Sequence, residues 1–297
     1  RDSYLVNAHV PRFGSGEAKG VIDESVRGMD LYILVDVCNY SLTYSMSGNT
    51  NHMSPDDHYQ NLKRIIAAVG GKAKRINVIM PFLYESRQHK RSSRESLDCA
   101  LALQELTHMG VDNIITFDAH DPRVQNAIPL SGFETVRPTY QFVKGLLDRY
   151  DDLIIDSDHM MAISPDEGAT ERAVYLANVL NLDMGMFYKR RDYTRVVNGR
   201  NPIVAHEFLG SSVEGKDVII LDDMISSGDS ILDVAKQLKS RNAKRIFAAA
   251  TFGLFTNGLD KFDEAYESGL IDGVLTTNLI YQTPELLSRP YYINCDM

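Results

Sequence analysis

Short runs of β-branched and apolar residues alternate with helix-like patterns along nearly the whole chain. This alternation is the strongest constraint on the fold, because it is the signature of an α/β architecture built on a mainly parallel sheet. We expect strands at residues 31–37, 76–80, 113–117, 160–163, 184–188, 217–221 and 245–251.

The signals for the first helix are strong at both ends. Ser54 is a good N-cap residue, Pro55 suits the first helical position, and two acidic residues follow in the first turn. A stripe of apolar residues at helical spacing then runs until Gly70. The pattern therefore predicts a helix that ends at this glycine.

Length and charge limit the possible classes of protein. The 297 residues suggest two domains, which we expect at 1–135 and 136–297, with the last ~20 residues packing back on the first domain. The net charge of −9 argues against binding to nucleic acid or to anionic membranes. The three cysteines lack CxxC spacing, which argues against a disulfide scaffold or a zinc ribbon. The sequence also has no long apolar run that would suit a membrane span, so we expect a cytoplasmic protein.

One segment combines a strand, two acids and a turn of small residues. After the apolar run 217–221 come Asp222 and Asp223, and then a turn that opens a helix and contains Ser226, Ser227, Gly228, Asp229 and Ser230. Unpaired N–H groups at a helix start attract phosphate, and adjacent carboxylates accept hydrogen bonds from sugar hydroxyls. The segment therefore predicts a ribose 5-phosphate site.

Residues 221–230 resemble the PRPP-binding motif of the phosphoribosyltransferase fold, and the order of further motifs resembles the ribose-phosphate pyrophosphokinase (PRPP synthetase) family. The motifs that carry the resemblance are ESVRG at 24–28, YESRQ at 84–88, FDAH at 117–120, SPDEG at 164–168, KRR at 189–191 and DDMI at 222–225. The resemblance implies two phosphoribosyltransferase-type α/β domains. It also implies transfer of the pyrophosphoryl group of ATP to the C1 hydroxyl of ribose 5-phosphate.

The resemblance also implies roles for single residues. Lys189 and Arg191 match a catalytic basic loop that folds over the phosphates, and His120 and Asp166 match partners of Mg²⁺. Arg87, Gln88, Phe13 and Glu17 match ATP-binding positions. Because Phe13 and Glu17 match a segment that a neighbouring subunit lends to the adenine, the resemblance implies a homo-oligomer.

The chain departs from the family pattern in the phosphate loop, where Ser226 stands for a third acid and Asp229 for a glycine. A carboxylate in a phosphate loop is tolerable only if the side chain faces away from the ligand. Two alternatives therefore stay open. One is a related pyrophosphokinase that acts on a larger ribose phosphate such as ADP-ribose, and the other is a catalytically silent regulatory subunit.

Overall fold

The computed structural model describes residues 5–191 and 203–297, with the backbone alone for 189–191 and 203–206. The chain forms two compact units that divide between Arg137 and Pro138. The short segment Leu279–Tyr281 belongs to the first unit, whereas Gln282–Met297 belongs to the second. None of the helices in the described ranges is long and apolar enough to cross a membrane.

The N-terminal unit contains β1 (Ala8–His9), β2 (Val21–Ile22), β3 (Asp30–Leu34), β4 (Thr43–Met46), β5 (Asn49–His52), α1 (Pro55–Val69), β6 (Arg75–Ile79), α2 (Asp98–His108), β7 (Asn113–Phe117), a 3₁₀ helix (Pro122–Ala127) and β8 (Gly132–Val136). It is built on a four-stranded parallel sheet with the order β3-β6-β7-β8. Two small antiparallel pairs, β1·β2 and β4·β5, lie outside this sheet.

Helix α1 begins and ends where its sequence signals predict. The Ser54 side chain accepts a hydrogen bond from the backbone N–H of Asp57, while the Asp57 carboxylate accepts one from the N–H of Ser54. Gly70 ends the helix in the left-handed conformation, with φ of 60°. Between these caps, Leu62 and Ile66 pack into the core of the unit. The reciprocal capping box satisfies N–H groups that the helix itself cannot.

The C-terminal unit contains α3 (Thr139–Arg149), β9 (Met160–Ser164), α4 (Thr170–Leu180), β10 (Asp183–Arg191), β11 (Ile203–Leu209), β12 (Asp217–Ile225), α5 (Asp229–Lys239), β13 (Arg245–Gly253), α6 (Asp260–Glu267), β14 (Gly273–Thr277), α7 (Pro284–Leu287) and β15 (Tyr292–Cys295). Its described strands form a seven-stranded sheet with the order β11-β10-β9-β12-β13-β14-β15, in which the β10·β11 pair alone is antiparallel.

The central strand β12 is buried on both faces. Val218 and Ile220 pack in one core cluster with residues of α5 and α6, whereas Ile219 packs on the other side with residues of α3 and α4. Successive side chains of a strand point to opposite faces, so an unbroken apolar run suits a strand that helices cover on both sides. The two cores thereby fix the position of β12.

The order of the strands reverses between β9 and β12. From β9 the chain passes through α4 to β10 on one side, whereas β12 leads through α5 to β13 on the other. In open α/β sheets, ligands bind beyond the carboxyl ends of the strands at such a reversal. The edge of the sheet beyond Ser164 and Ile225 is therefore the place to look for a site.

The alternating pattern predicted the fold class correctly, and each predicted strand is present. Strand β10 continues past its predicted end to Arg191, β12 to Ile225 and β13 to Gly253, whereas β3 ends at Leu34, before its predicted end. The proline-dotted stretch after Asp118 contains the edge strand β8, which the sequence pattern did not predict. Short strands with little apolar character lack a strong local signal.

The capping box of α1 gives the first testable prediction. Ser54→Ala should lower the free energy of unfolding by about 1 kcal/mol, because the N–H of Asp57 loses its acceptor. Ser54→Asn, which keeps an acceptor, should stay close to the wild type. Urea titration followed by far-ultraviolet circular dichroism measures both variants, and equal stability of Ser54→Ala and the wild type would contradict the prediction.

Candidate functional site

Asp222 and Asp223 lie within strand β12, whereas the sequence had indicated that they follow it. Asp223 is 3% exposed, and its backbone N–H donates to Oδ1 of Asp222 at 2.9 Å. The last pairing of β12 with β9 is at Ile220, whereas its pairing with β13 continues to Ile225. The two acids therefore stand at the edge of the sheet where the strand order reverses.

The environment of Asp222 disfavours its charged form. Burial raises the pKa of its carboxyl well above the usual value, and the neighbouring carboxyl of Asp223 raises it further. The negative charge of Asp166 adds to the same effect. A desolvated carboxylate beside other carboxylates is stabilised by hydrogen-bond donors or by a cation. Sugar hydroxyls or a bound metal ion would both meet this requirement.

Asp166 follows β9, the neighbour of β12. Its Oδ1 accepts hydrogen bonds from the backbone N–H groups of Gly168 at 2.9 Å and Ala169 at 3.2 Å. Its backbone carbonyl accepts from the Ser164 hydroxyl at 2.6 Å. These bonds hold the side chain at the turn into α4. The structure thus brings Asp166 and the Asp222–Asp223 pair to the same edge of one sheet.

The turn that begins at Ser226 leads directly into α5, whose first two residues are Asp229 and Ser230. Gly228 has φ of 82° and precedes the first residue of the helix, Asp229. Thr256 donates its backbone N–H to the carbonyl of Ser226 at 3.0 Å. The start of the turn is therefore held by this hydrogen bond, and the first turn of α5 lies at its end. Backbone N–H groups of such a turn are suited to bind an anion.

The basic triplet lies on strand β10 and not on a loop after it. The sequence indicated a strand that ends at Tyr188, but β10 continues through Lys189 to Arg191 and pairs with β11. The side chains of Lys189 and Arg191, and residues 192–202 after them, lie outside what the structure describes. Their proposed catalytic role remains a prediction.

In the N-terminal unit, Arg87 and Gln88 lie in the long connection between β6 and α2. Arg87 is exposed, whereas the side-chain amide of Gln88 donates to the backbone carbonyls of Lys90 at 3.3 Å and Ser96 at 2.8 Å. Gln88 therefore shapes this connection by closing it on itself. Its N–H groups are engaged there, so any contact with a base would need its carbonyl oxygen or a rearrangement.

His120 lies just after β7 and contacts a second histidine, His89, which no sequence motif indicated. The rings of His120 and His89 are 5.2 Å apart between centroids, and His89 Nε2 is 3.5 Å from Oδ2 of Asp121. Burial lowers the pKa of His89, and the neighbouring His120 lowers it further. His89 directly follows Gln88, so the end of the YESRQ motif at 84–88 and His120 are neighbours in one unit.

Phe13 and Glu17 lie on a turn that other residues hold in place. Phe13 is 56% exposed, and its backbone N–H donates to the carbonyl of Glu17 at 2.8 Å. The Arg12 guanidinium donates to the carbonyl of Gly16 at 3.0 Å and to Asp57 at 3.1 Å, and it lies 3.9 Å from the centre of the Tyr44 ring. The turn therefore presents an aromatic ring to the outside.

The predicted metal partners belong to different units, His120 to the first and Asp166 to the second. Within residues 5–191 and 203–297, no group of three or more His, Cys, Asp or Glu side chains is arranged to hold a metal ion. Carboxylate oxygens are nevertheless ligands that Mg²⁺ favours, and this ion commonly takes one or two of them together with substrate phosphates. Asp166 fits this requirement better than an imidazole does.

Both halves of the chain match known families. Residues 2–110 match the N-terminal domain of ribose phosphate pyrophosphokinase, and residues 136–277 match the phosphoribosyl transferase domain. The chain is 31% identical over 272 residues to ribose-phosphate pyrophosphokinase from Mycoplasma genitalium, covering 91% of this chain and 74% of the relative. It is 30% identical over 285 residues to that from Pasteurella multocida, covering 95% and 81%.

A solved structure shows the same fold. Phosphoribosylpyrophosphate synthetase from Mycobacterium smegmatis superposes with a TM-score of 0.78 and covers 99% of this chain and 87% of its own, at 24% sequence identity. The fold expected from the sequence, with two mainly parallel sheets flanked by helices, is thereby confirmed.

The raised pKa of Asp222 predicts how stability depends on pH. The folded protein holds the Asp222 proton more tightly than the unfolded chain, whose value is about 3.9. Stability is therefore lost as the pH rises from about 4 through the folded pKa. Asp222→Asn removes this loss and keeps the acceptor for the Asp223 N–H, so it should raise the free energy of unfolding at pH 7.5.

Urea titrations of the wild type and Asp222→Asn at pH 7.5 and near pH 4 test this expectation. The gain should shrink at the lower pH, where the unfolded carboxyl also becomes protonated. Asp151→Asn, at an exposed position, serves as the control and should have little effect at either pH. A loss of stability in Asp222→Asn at pH 7.5 would contradict the assignment.

Proposed function

The chain belongs to the ribose-phosphate pyrophosphokinase family, and from this premise we propose that it makes PRPP and AMP from ribose 5-phosphate and ATP. The C1 hydroxyl oxygen of the sugar forms a bond to the β-phosphorus, the bond from that phosphorus to the oxygen bridging it to the α-phosphorus breaks, and AMP leaves. The hydroxyl proton is released. The observation that carries the proposal is the Asp222–Asp223 pair beside the anion-suited turn of α5.

The sugar phosphate would bind along the edge of the C-terminal sheet. Its hydroxyls would donate to Asp222 and Asp223, whose desolvated carboxylates favour such donors. Its phosphate would lie on the turn from Ser226 to Ser230, where backbone N–H groups and the helix dipole favour negative charge. The turn directly follows the strand, so adjacent parts of the chain would bind the hydroxyls and the phosphate of the sugar.

Catalysis would depend mainly on positioning and on positive charge. The transition state spreads negative charge over the phosphoryl oxygens, and Lys189 and Arg191 are the proposed cations that meet it. Lys offers a compact charge and Arg a planar fork for two oxygens. Both residues lie on β10, which pairs with β9 ahead of Asp166.

Mg²⁺ would supply further neutralisation of the phosphate oxygens when bound. Asp166 and His120 are each proposed as a partner of Mg²⁺, with substrate phosphates as further ligands. ATP itself would contact Arg87 and Gln88, and the ring of Phe13 together with Glu17 would recognise the adenine from a neighbouring subunit. A homo-oligomer is therefore part of the proposal.

An assay of AMP release tests the activity. The wild type should release AMP from ATP with ribose 5-phosphate and Mg²⁺, and far less with ADP-ribose in place of ribose 5-phosphate. Lys189→Ala should lower kcat by roughly a hundredfold with little change in either KM, because the lost charge acts mainly in the transition state.

The control for this assay is Lys74→Ala, which removes the same charge from an exposed position in the N-terminal unit. Its kcat should stay near that of the wild type. Near-normal turnover of Lys189→Ala would reject the catalytic role. A wild type that binds the substrates but releases no AMP would instead favour a silent regulatory subunit, and equal use of ADP-ribose would favour the related pyrophosphokinase.

The shared adenine site predicts complementation between two impaired variants. Phe13→Ala should raise the KM for ATP through loss of stacking in a neighbour's site, whereas Lys189→Ala impairs its own subunit. Co-expressed and purified mixed oligomers should regain some fully wild-type sites, so their activity should exceed the mean of the two separate variants. Activity equal to that mean would contradict a site shared between subunits.

A further inference from the structure

Asp229 places a carboxylate at the first turn of α5, where the proposed function puts the phosphate of the sugar. An acid at this position interacts favourably with the helix dipole. It would also repel a bound phosphate, since two negative groups would compete for the same N–H donors. The structure has to resolve this conflict if the turn is to bind an anion.

Both oxygens of the Asp229 carboxylate are already engaged by neighbouring side chains. Lys261 Nζ lies 2.5 Å from Oδ1, and the Ser227 hydroxyl donates to Oδ2 at 2.9 Å. The hydrogen bond from Lys261 lowers the pKa of Asp229, and the bond from Ser227 lowers it further. The carboxylate is therefore ionised at neutral pH, and its charge is directed at Lys261.

The backbone that carries Lys261 is firmly placed against the turn. The next residue, Phe262, is fully buried, and its ring lies where a Cβ on Gly228 would stand, with Cε2 only 2.4 Å from that position. Phe262 also packs edge-on against Phe255 at 5.2 Å between centroids. The start of α6 is thus fitted under the turn, which brings Lys261 to Asp229 although 32 residues separate them.

We infer that Lys261 is a positioning residue for the sugar phosphate. It neutralises Asp229 and holds its carboxylate, so that the backbone N–H groups of the turn stay available to the phosphate. The inference rests on the proposed function of the same turn. It assigns a role in substrate affinity to a residue of α6 that carries no part of the phosphate-binding motif.

Calorimetry with ribose 5-phosphate as the probe, on the full chain, tests the inference. Lys261→Ala should weaken binding by about tenfold, because an uncompensated carboxylate then faces the phosphate. Lys261→Arg should bind close to the wild type. Asp229→Asn in the Lys261→Ala background should restore binding. Asp229→Asn alone should bind ribose 5-phosphate more tightly than the wild type, because Asp229 then no longer neutralises the positive charge of Lys261.

Two comparisons separate this role from a purely structural ion pair. Lys239→Ala removes the same charge from the far end of α5 and should leave binding near the wild-type level. The loss in Lys261→Ala should also diminish as NaCl is raised, because salt screens exposed charges. An ion pair that only stabilises the fold would change the melting temperature and leave the affinity for ribose 5-phosphate unaltered.

The outcomes for the inference and for the proposed function are distinct. Binding by the wild type with equal binding by Lys261→Ala overturns the inference and leaves the proposed function intact. Weakening that Asp229→Asn fails to reverse also overturns it, since Lys261 would then contact the phosphate or the fold directly. A wild type that does not bind ribose 5-phosphate rejects the proposed function and the inference with it.

Discussion

The burial of strand β12 on both faces is the constraint on which the candidate site depends. Val218 and Ile220 face one core, and Ile219 faces the other, so the strand cannot shift along its axis or turn over without exposing one set. The acids at its end are carried to the edge of the sheet by this packing. Burial at this edge disfavours the charged form of Asp222, and the neighbouring Asp223 is itself buried.

Gly228 is the N-cap residue of α5 and has no side chain that could cap the helix by a hydrogen bond. Close packing supports the turn after β12 instead. Gly228 is required both by its left-handed backbone and by the ring of Phe262, which fills the space that a side chain would need. The buried Phe262 in turn fixes the neighbouring Lys261 beside Asp229. Two consecutive residues of α6 therefore support the turn. Phe262 packs against Gly228, and Lys261 forms an ion pair with Asp229.

The N-terminal unit places its candidate residues by a different means. Its exposed connections are held by polar contacts, as when Gln88 closes the β6–α2 connection or Arg12 joins Gly16 to Asp57. Asp57 also caps α1, so the turn that carries Phe13 is tied to the start of a helix whose other face lies in the core. Asp57 therefore links the turn that carries the exposed ring of Phe13 to a helix that packs in the core.

The sequence by itself determined the features that local patterns encode: the alternating α/β order, the caps of α1 at Ser54 and Gly70, and the strand, acids and turn from Asp217 to Ser230. Only the tertiary structure decided where β10 and β12 end, because pairing with β11 and β13 extends both strands through charged residues that local propensity would leave outside. It also decided that Lys261 meets Asp229 and that His89 meets His120, since both pairs are distant in sequence. Such contacts depend on how the elements pack, and no periodicity along the chain records them.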